Sequence, residues 1–531
     1  MNTQKRLKKP VFTSSDWTIP DIEKGWEIIN KLAKSKYQWE GYSVQFEILS
    51  SAQFIDMETS HFMPTFYSHW SFGKKNIQAM QEYQAGHRGL AYEVIVNTSP
   101  SICYIHEDNN MMMQLLVSAH AAVGHNHFFK NNYLFREWTH PDFINDELLY
   151  AKHYIKRCEE RYGIAEVSTT LDIAHLLQYF SIFKYNKKEK SSKEYKERTK
   201  DRFEDIMTSY DPVIDGAFER YRKRRQNSYA ESCHNESENI LYFLENATPY
   251  QSTLASWQKE IFSIIRSISQ YFYPQMQTKM MNEGFASFCH YTLMNDLYDA
   301  GYIGEGYMLE FIQSHTSVVN QGDFNREGGN SINPYYLGFN MFQEIKRICE
   351  KPTEEDIQFC PSYCNTNWIE TINSIVKNYR DESFIREFLT PNLIRKLKLF
   401  SIETGIDDEV YTVGAIQKEE DYNKIRNTLA EQYSWEAMLP EVEIRTTSMG
   451  VDRYNSERAE LGHSASLFPG GLDNKDYLRI YFHDKKNNMF NQSDLEVLYL
   501  YIKVCWKHDV SIYVVDSNGI SLQWEDGEGG A

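Results

Sequence analysis

The stretch MMMQLLVSAHAAVGHNHFFKNN, residues 111–132, decides how the rest of this chain is read. Its first nine residues carry no charge, and His120, His125 and His127 follow within eight positions. A run of this length is too short to cross a bilayer and too apolar to face water, so it predicts a buried helix. A polar group buried without a partner costs roughly 2–7 kcal/mol on transfer scales. Three imidazoles in that setting therefore require either ordinary hydrogen-bonding partners or a metal.

The surrounding composition fits a packed protein. The chain has 531 residues, 41% of them hydrophobic and 15% aromatic, which is ample for a large core and for more than one domain. A formal net charge of −18 argues against nonspecific binding to nucleic acid or to anionic membrane. No apolar run reaches the length of a membrane span, and the basic start MNTQKRLKKPVF lacks the apolar segment of a signal peptide. Eight scattered cysteines suggest no disulfide framework, and a cytoplasmic location is expected. Cys360 and Cys364 form a C-x3-C with no second pair nearby, short of the four ligands of a structural zinc site.

Periodicity divides the chain further. Helices are expected at residues 21–37, 43–57, 145–162, 165–180, 257–272, 278–300 and 336–349, with Pro274 closing the fifth. Short strands are expected at 92–97 and 101–108. Residues 184–225 are dense in charge and poor in apolar residues, so they read as a solvated insertion. Their interleaved acids and lack of a stacking pattern argue against a nucleic-acid arm. Beyond residue 395 come strands at 409–415, 441–447, 478–482 and 510–515, helices at 422–431 and 492–506, and a hairpin signal at Asn518-Gly519. The fold expected is α+β: a large, mainly helical part over residues 1–394 with a few short strands, and a smaller α+β domain over 395–531.

The helix expected at 278–300 carries the natural partners for the histidines. Glu283, Ser287 and His290 fall at i, i+4 and i+7, so one face bears a carboxylate and an imidazole two turns apart. Glu260 and His315 stand in reserve. For any one of these residues the ordinary reading is a hydrogen-bonded core group, and for Met111–Met113 it is core packing.

Several long words carry a resemblance. HWSFGK (residues 69–74), VNTSPSICYIHEDNNMMMQLLVSAHAAVGHNHFFKNNYLF (96–135), PQMQTKMMNEGFASFCHY (274–291) and NPYYLGF (333–339) are similar to the SpoVR family, the stage V sporulation protein R group. LAEQY (429–433) extends the likeness over nearly the whole chain. The charged stretch 184–225 looks longer than is usual there, and Ser267 and Ile268 stand where members tend to be acidic. The resemblance implies a cytoplasmic protein with a role in spore cortex formation or stress response. It also implies partners of two kinds, a PrkA-type serine kinase and a YhbH/YeaH-type protein, and it settles no biochemical activity.

A second likeness bears on chemistry. NEGFASF (282–288) is similar to the segment that supplies the third zinc ligand of gluzincin aminopeptidases, and the order His, His, then Glu is kept by His120, His125 and Glu283. A His2Glu set with an open position binds a divalent metal, zinc favoured, and acidifies water. HAAVGH, however, has four residues between its histidines rather than three, and Ala121 takes the place of the glutamate base. On a regular α-helix, positions i and i+5 diverge by about 140°. A π-bulge at residues 121–124 or a helix end at Gly124 would bring them together; otherwise His120 and His127, at i and i+7, share a face. The metal set expected is His120, His125, Glu283 and His290, with Glu260 or His127 as catalytic base in a degenerate, zincin-like hydrolase. The alternative is a non-enzymatic interaction protein whose His/Glu cluster is structural.

Overall fold

In the computed structural model the described residues are 9–60, 67–85, 92–183, 239–247, 252–321, 332–400, 403–404, 411–412, 416, 418–434, 441–448, 476–484, 490–516 and 519–525. The charged stretch 184–225, most of the loop at 321–334 and Asn518 lie outside them.

The chain is α+β and mostly helical, with its few short strands in small sheets. In order come α1 (Ile19–Tyr37), β1 (Val44–Leu49), α2 (Ser51–Thr59), α3 (Trp70–Gln84), β2 (Glu93–Val96) and β3 (Ser101–His106). A rod made of α4 (Met111–Val117), a π-helix (Ser118–His125) and α5 (Asn126–Asn131) follows, then α6 (Tyr133–Trp138), α7 (Ile144–Tyr162) and α8 (Ile164–Leu177). Next are α9 (Ile240–Asn246), α10 (Ser256–Gln277), α11 (Lys279–Asp299), α12 (Glu305–Val318) and α13 (Pro334–Glu350). Four short helices, α14 (Glu354–Phe359), α15 (Trp368–Asn378), α16 (Asp381–Phe388) and α17 (Pro391–Lys396), lead to β4 (Glu403–Thr404) and β5 (Tyr411–Thr412). The chain ends with α18 (Glu419–Gln432), β6 (Glu441–Ser448), β7 (Asp476–His483), α19 (Gln492–Cys505), β8 (Val510–Asp516) and β9 (Gly519–Glu525).

Two compact units emerge, each made of two chain segments: residues 1–157 with 271–435, and 158–270 with 436–531. The sequence reading divided the chain in linear order at 394/395; this division follows packing. In the first unit, β3 lies between β1, its parallel partner, and β2, its antiparallel one. The unit's main core joins residues of α1, the α4–π–α5 rod, α11, α13 and α15–α18. Methionines Met111–Met113 are buried in it, as ordinary core packing requires. Helix α1 buries Ile22, Ile29, Ala33 and Tyr37 at helical spacing, and Gln38, in the left-handed region at φ 58°, ends it.

In the second unit, Tyr162 stacks on Trp257 with centroids 4.6 Å apart, and Phe180 packs edge-on against Phe482 at 5.0 Å. Its sheet has the order β6-β7-β8-β9; β7 and β8 are parallel and joined through α19, and the other two pairs are antiparallel. Asp516 pairs with Gly519 across the hairpin signalled by Asn518-Gly519.

Two local expectations are corrected. Residues 43–57 are not one helix: Val44, Phe46 and Ile48 alternate in β1, and Ser50 then starts α2 through reciprocal bonds with Gln53. Period 2 over VQFEIL wins over the helical spacing of Phe46, Leu49 and Phe54. Pro274 does not close α10, which runs on to Gln277. An interior proline removes its own N–H from the ladder and crowds the carbonyl four residues back, yet the helix continues for three more residues, and the Pro274 carbonyl accepts from the Thr278 hydroxyl at 2.7 Å.

Candidate metal centre

The rod decides the site. Val117 and Asn126, at the two joints of the π-helix, both keep right-handed helical dihedrals, so the helix is continuous through its wide turn. In a π-helix the bonds run i→i+5, so residues five apart come one above the other. That absorbs the extra residue of HAAVGH. The rings of His120 and His125 lie with centroids 4.7 Å apart, both buried and both turned to α11.

Backbone-to-backbone packing fixes where α11 runs. A Cβ on Gly124 would meet the Ala286 Cα at 2.6 Å, and one on Gly284 would meet the Gly338 backbone at 2.4 Å. Helix α11 is thus clamped between the π-helix and α13. Its first turn is held by Asp381, fully buried, whose carboxylate accepts from the Met280 and Met281 amides at 2.9 and 2.8 Å.

Between these helices sits Glu283. Its Oε2 is 3.4 Å from His125 Nε2 and 3.8 Å from His120 Nε2, and it is buried with no aligned hydrogen-bond donor. Among the described residues, His120, His125 and Glu283 form the one group whose ligand atoms all lie within 4.8 Å of one another. Bond lengths of about 2.0–2.2 Å in a tetrahedron put donor atoms about 3.3–3.5 Å apart, close to the His125–Glu283 spacing. The outer contacts suit ligation too. His125 Nδ1 pairs with Asn282 Oδ1 at 2.9 Å, which makes it the protonated nitrogen and leaves a lone pair on Nε2. An orphaned carboxylate oxygen facing two imidazole nitrogens is a donor set that fits a divalent metal.

Electrostatics set the site's charge. Burial pushes the Glu283 carboxyl up, but the adjoining His125 and His120 overcome it and hold the group well below the usual carboxylate range. Burial opposes a charged His125, yet the Glu283 carboxylate raises its pKa. Glu93, on β2, has its Oε1 3.8 Å from His120 Nε2 and is pushed up, first by burial. Tyr335, at the start of α13, lies face to face with His120 at 6.4 Å, and burial followed by the charges of Glu283 and Glu93 raises its phenol above the ordinary range.

The remaining sequence candidates are not among these three residues. His290 is beside it: its Nδ1 is 2.9 Å from His120 Nδ1, and its Nε2 is 2.7 Å from His315 Nδ1. His127 turns the other way, accepting from the Glu40 amide at 2.8 Å and packing on Phe285, and burial brings its pKa down to about 4. Glu260 is on α10 in the second unit. Glu93, Tyr335 and Asn282 were not singled out by sequence. Asn282 and Tyr335 lie inside the family-like words, whereas Glu93 occupies an ordinary position of a short strand and carries no local signal.

Chemistry that only looks like a site occurs nearby. Ser51 Oγ is 3.1 Å from His106 Nε2, and His106 Nδ1 is 3.8 Å from Asp108 Oδ2, as in a nucleophilic triad. The Asp108 amide, however, donates to that Nδ1 at 3.1 Å. The proton is then on Nε2, so His106 donates to Ser51 and cannot accept its proton.

Comparison with known proteins agrees with the long words. The family model described as SpoVR like protein matches residues 16–438. The Escherichia coli (strain K12) protein named Uncharacterized protein YcgB is 42% identical over 442 residues, covering 82% of this chain and 85% of that relative. No solved structure matches the chain. No helix of the described residues is long and apolar enough to cross a membrane.

Proposed function

The chain belongs to the SpoVR family, and on that premise we propose that it is a metal-dependent hydrolase built on a zincin-like His2Glu site, with zinc the favoured ion. The observation that carries this reading is the π-helix, which turns His120 and His125 onto the orphaned Oε2 of Glu283. His120, His125 and Glu283 would hold the metal, which when bound supplies the Lewis acidity that lowers the pKa of water. Glu93 takes the place that Ala121 leaves empty in the HExxH pattern: Oε1, near His120, accepts the proton of the attacking water. Glu260 and His127, the bases considered from sequence, pass that role to Glu93 in this reading. Tyr335 keeps its proton and serves as a hydrogen-bond donor to charge that develops on the substrate.

The proposed substrate is a peptide or amide bond, of the kind a peptidoglycan precursor carries. The proposed setting is the cytoplasm, in spore cortex formation or stress response, beside a PrkA-type kinase and a YhbH/YeaH-type protein. Elemental analysis of purified protein tests the reading. Stoichiometric zinc, iron or manganese in the wild type, lost in a folded Glu283→Ala variant, supports it; a metal-free wild type that takes up none of the three removes it.

One observation favours a second reading. Four of the six ring nitrogens of His120, His290 and His315 are already paired with each other, so the cluster can be satisfied without an ion. On that view the protein is an interaction partner of the kinase, and His120→Ala and Glu283→Ala act only through stability.

A further inference from the structure

His120, His290 and His315 form a single file of imidazoles: Nδ1 to Nδ1 at 2.9 Å, then Nε2 to Nδ1 at 2.7 Å. All three are buried, with relative exposures of 4%, 2% and 5%. Each N···N contact holds one proton, and each neutral imidazole carries one. The file therefore has two proton arrangements and no others while its members stay neutral.

In the first arrangement His120 carries its proton on Nε2, facing the carboxylates of Glu283 and Glu93, each 3.8 Å away. Its Nδ1 must then accept, so His290 donates from Nδ1 and His315 donates from Nδ1 to His290 Nε2. In the second, His120 Nε2 is a lone pair. His120 then donates from Nδ1, His290 donates from Nε2, and the His315 proton sits on Nε2. Going from one to the other, a proton leaves His120 Nε2, one hops across each N···N contact, and one enters at His315 Nε2. The count is unchanged.

We infer that metal occupancy at His120 Nε2 reverses the tautomers of the whole file, so that His290 and His315 are positioning residues that lock His120 in its ligating form. The inference rests on the metal reading above. Among the described residues, the hydrogen-bond partner of His120 Nδ1 is His290. Around His315 stand Phe311, Tyr291 and Phe339, with centroids 5.6, 5.1 and 4.8 Å away. These aromatic walls fix the ring that ends the file.

The test uses the full chain labelled with ¹⁵N in histidine, compared after chelation and after reloading with zinc(II). Long-range ¹H–¹⁵N correlation reports which nitrogen of each ring is protonated. The expected result is that His315 changes from Nδ1–H to Nε2–H on loading, and His290 from Nδ1–H to Nε2–H. Unchanged tautomers in protein that has bound zinc overturn the inference and leave the metal reading standing; a wild type that binds no zinc overturns both. As a second measurement, His290→Phe should weaken zinc binding about 10–100-fold, the range for loss of an outer-shell partner, and His290→Asn should restore part of it. His290→Phe that folds and binds zinc as the wild type does also overturns the lock.

Discussion

Two histidine clusters in the first unit share residue types and differ in how their hydrogen bonds close. Around His106, the Asp108 amide donates to Nδ1 and Nε2 donates to the Ser51 hydroxyl, so both ring nitrogens are used and every proton has one assigned place. Around His120 and His125, the outer nitrogens are paired while both Nε2 atoms face a buried carboxylate oxygen that no group serves. A buried carboxylate oxygen without an aligned donor is costly, and a metal, in the reading proposed above, would satisfy all three donors at once. Residue type alone does not separate these clusters; the location of unsatisfied lone pairs does.

The first way to break this contrast is to part the helices that make the second cluster. Gly284→Ala puts a methyl against the Gly338 backbone, which has no flexible side chain to yield. Overpacking costs about 1–3 kcal/mol, and against unyielding backbone the upper end, about 3 kcal/mol, is expected. Urea unfolding of the variant should show a loss of that size, and metal uptake should fall with it.

Acid sharpens the contrast next. Burial, and then the charge of His120, lower the pKa of His315 to about 4 in the folded chain, against about 6.5 unfolded. Above pH 6.5 both states are neutral and nothing is lost. As pH falls from 6.5 towards 4, the unfolded chain takes up a proton that the folded chain refuses, so stability drops, by up to about 3 kcal/mol. Denaturation midpoints at pH 7 and pH 5 should differ less in His315→Gln than in the wild type.

Metal itself should stabilise the second cluster alone. At a free zinc concentration about 100-fold above Kd, the wild type gains about 2.7 kcal/mol, seen as a rise in Tm, while Glu283→Gln gains nothing. A rise of equal size in Glu283→Gln would place the ion elsewhere. The smallest effect is expected at the first cluster: Ser51→Ala removes a hydroxyl that pairs with His106, Asp108 and Tyr83 and should cost about 1–2 kcal/mol, with zinc content unchanged.

Much of this was legible in the chain. The apolar stretch at 111–119 announced a buried helix, and the strands expected at 441–447, 478–482 and 510–515 are present. The order His120, His125, Glu283 named the group that packing brings together. Legibility failed where the signal was not local. Glu93 looks like any polar residue in YEVIVN, and only the β2–β3 pairing, with the rod packed beside it, sets its carboxylate by His120. His290 shares a face with Glu283, yet a helix-face argument cannot tell a first neighbour from a second. That His315 Nδ1 lies 2.7 Å from His290 Nε2 depends on how α12 crosses α11, which spacing does not encode. The reading of Phe46, Leu49 and Phe54 as one helical face failed because two short periods overlap at Ser50.

The wide turn at Ser118–His125 also has a consequence downstream. Holding one more residue than an α-turn, it re-phases everything after it by about 100°, as a vernier offsets two scales. Upstream, the rod keeps Met111, Met112 and Leu115 in the core; downstream, Asn126 reaches the Tyr42 backbone and Lys130 reaches the Gly41 carbonyl. Excising Ala122 would restore the familiar three-residue interval between His120 and His125. It would also swing Asn126 and Lys130 off the 40–42 segment, so the interval that departs from HExxH is the one that lets a single rod serve two neighbours.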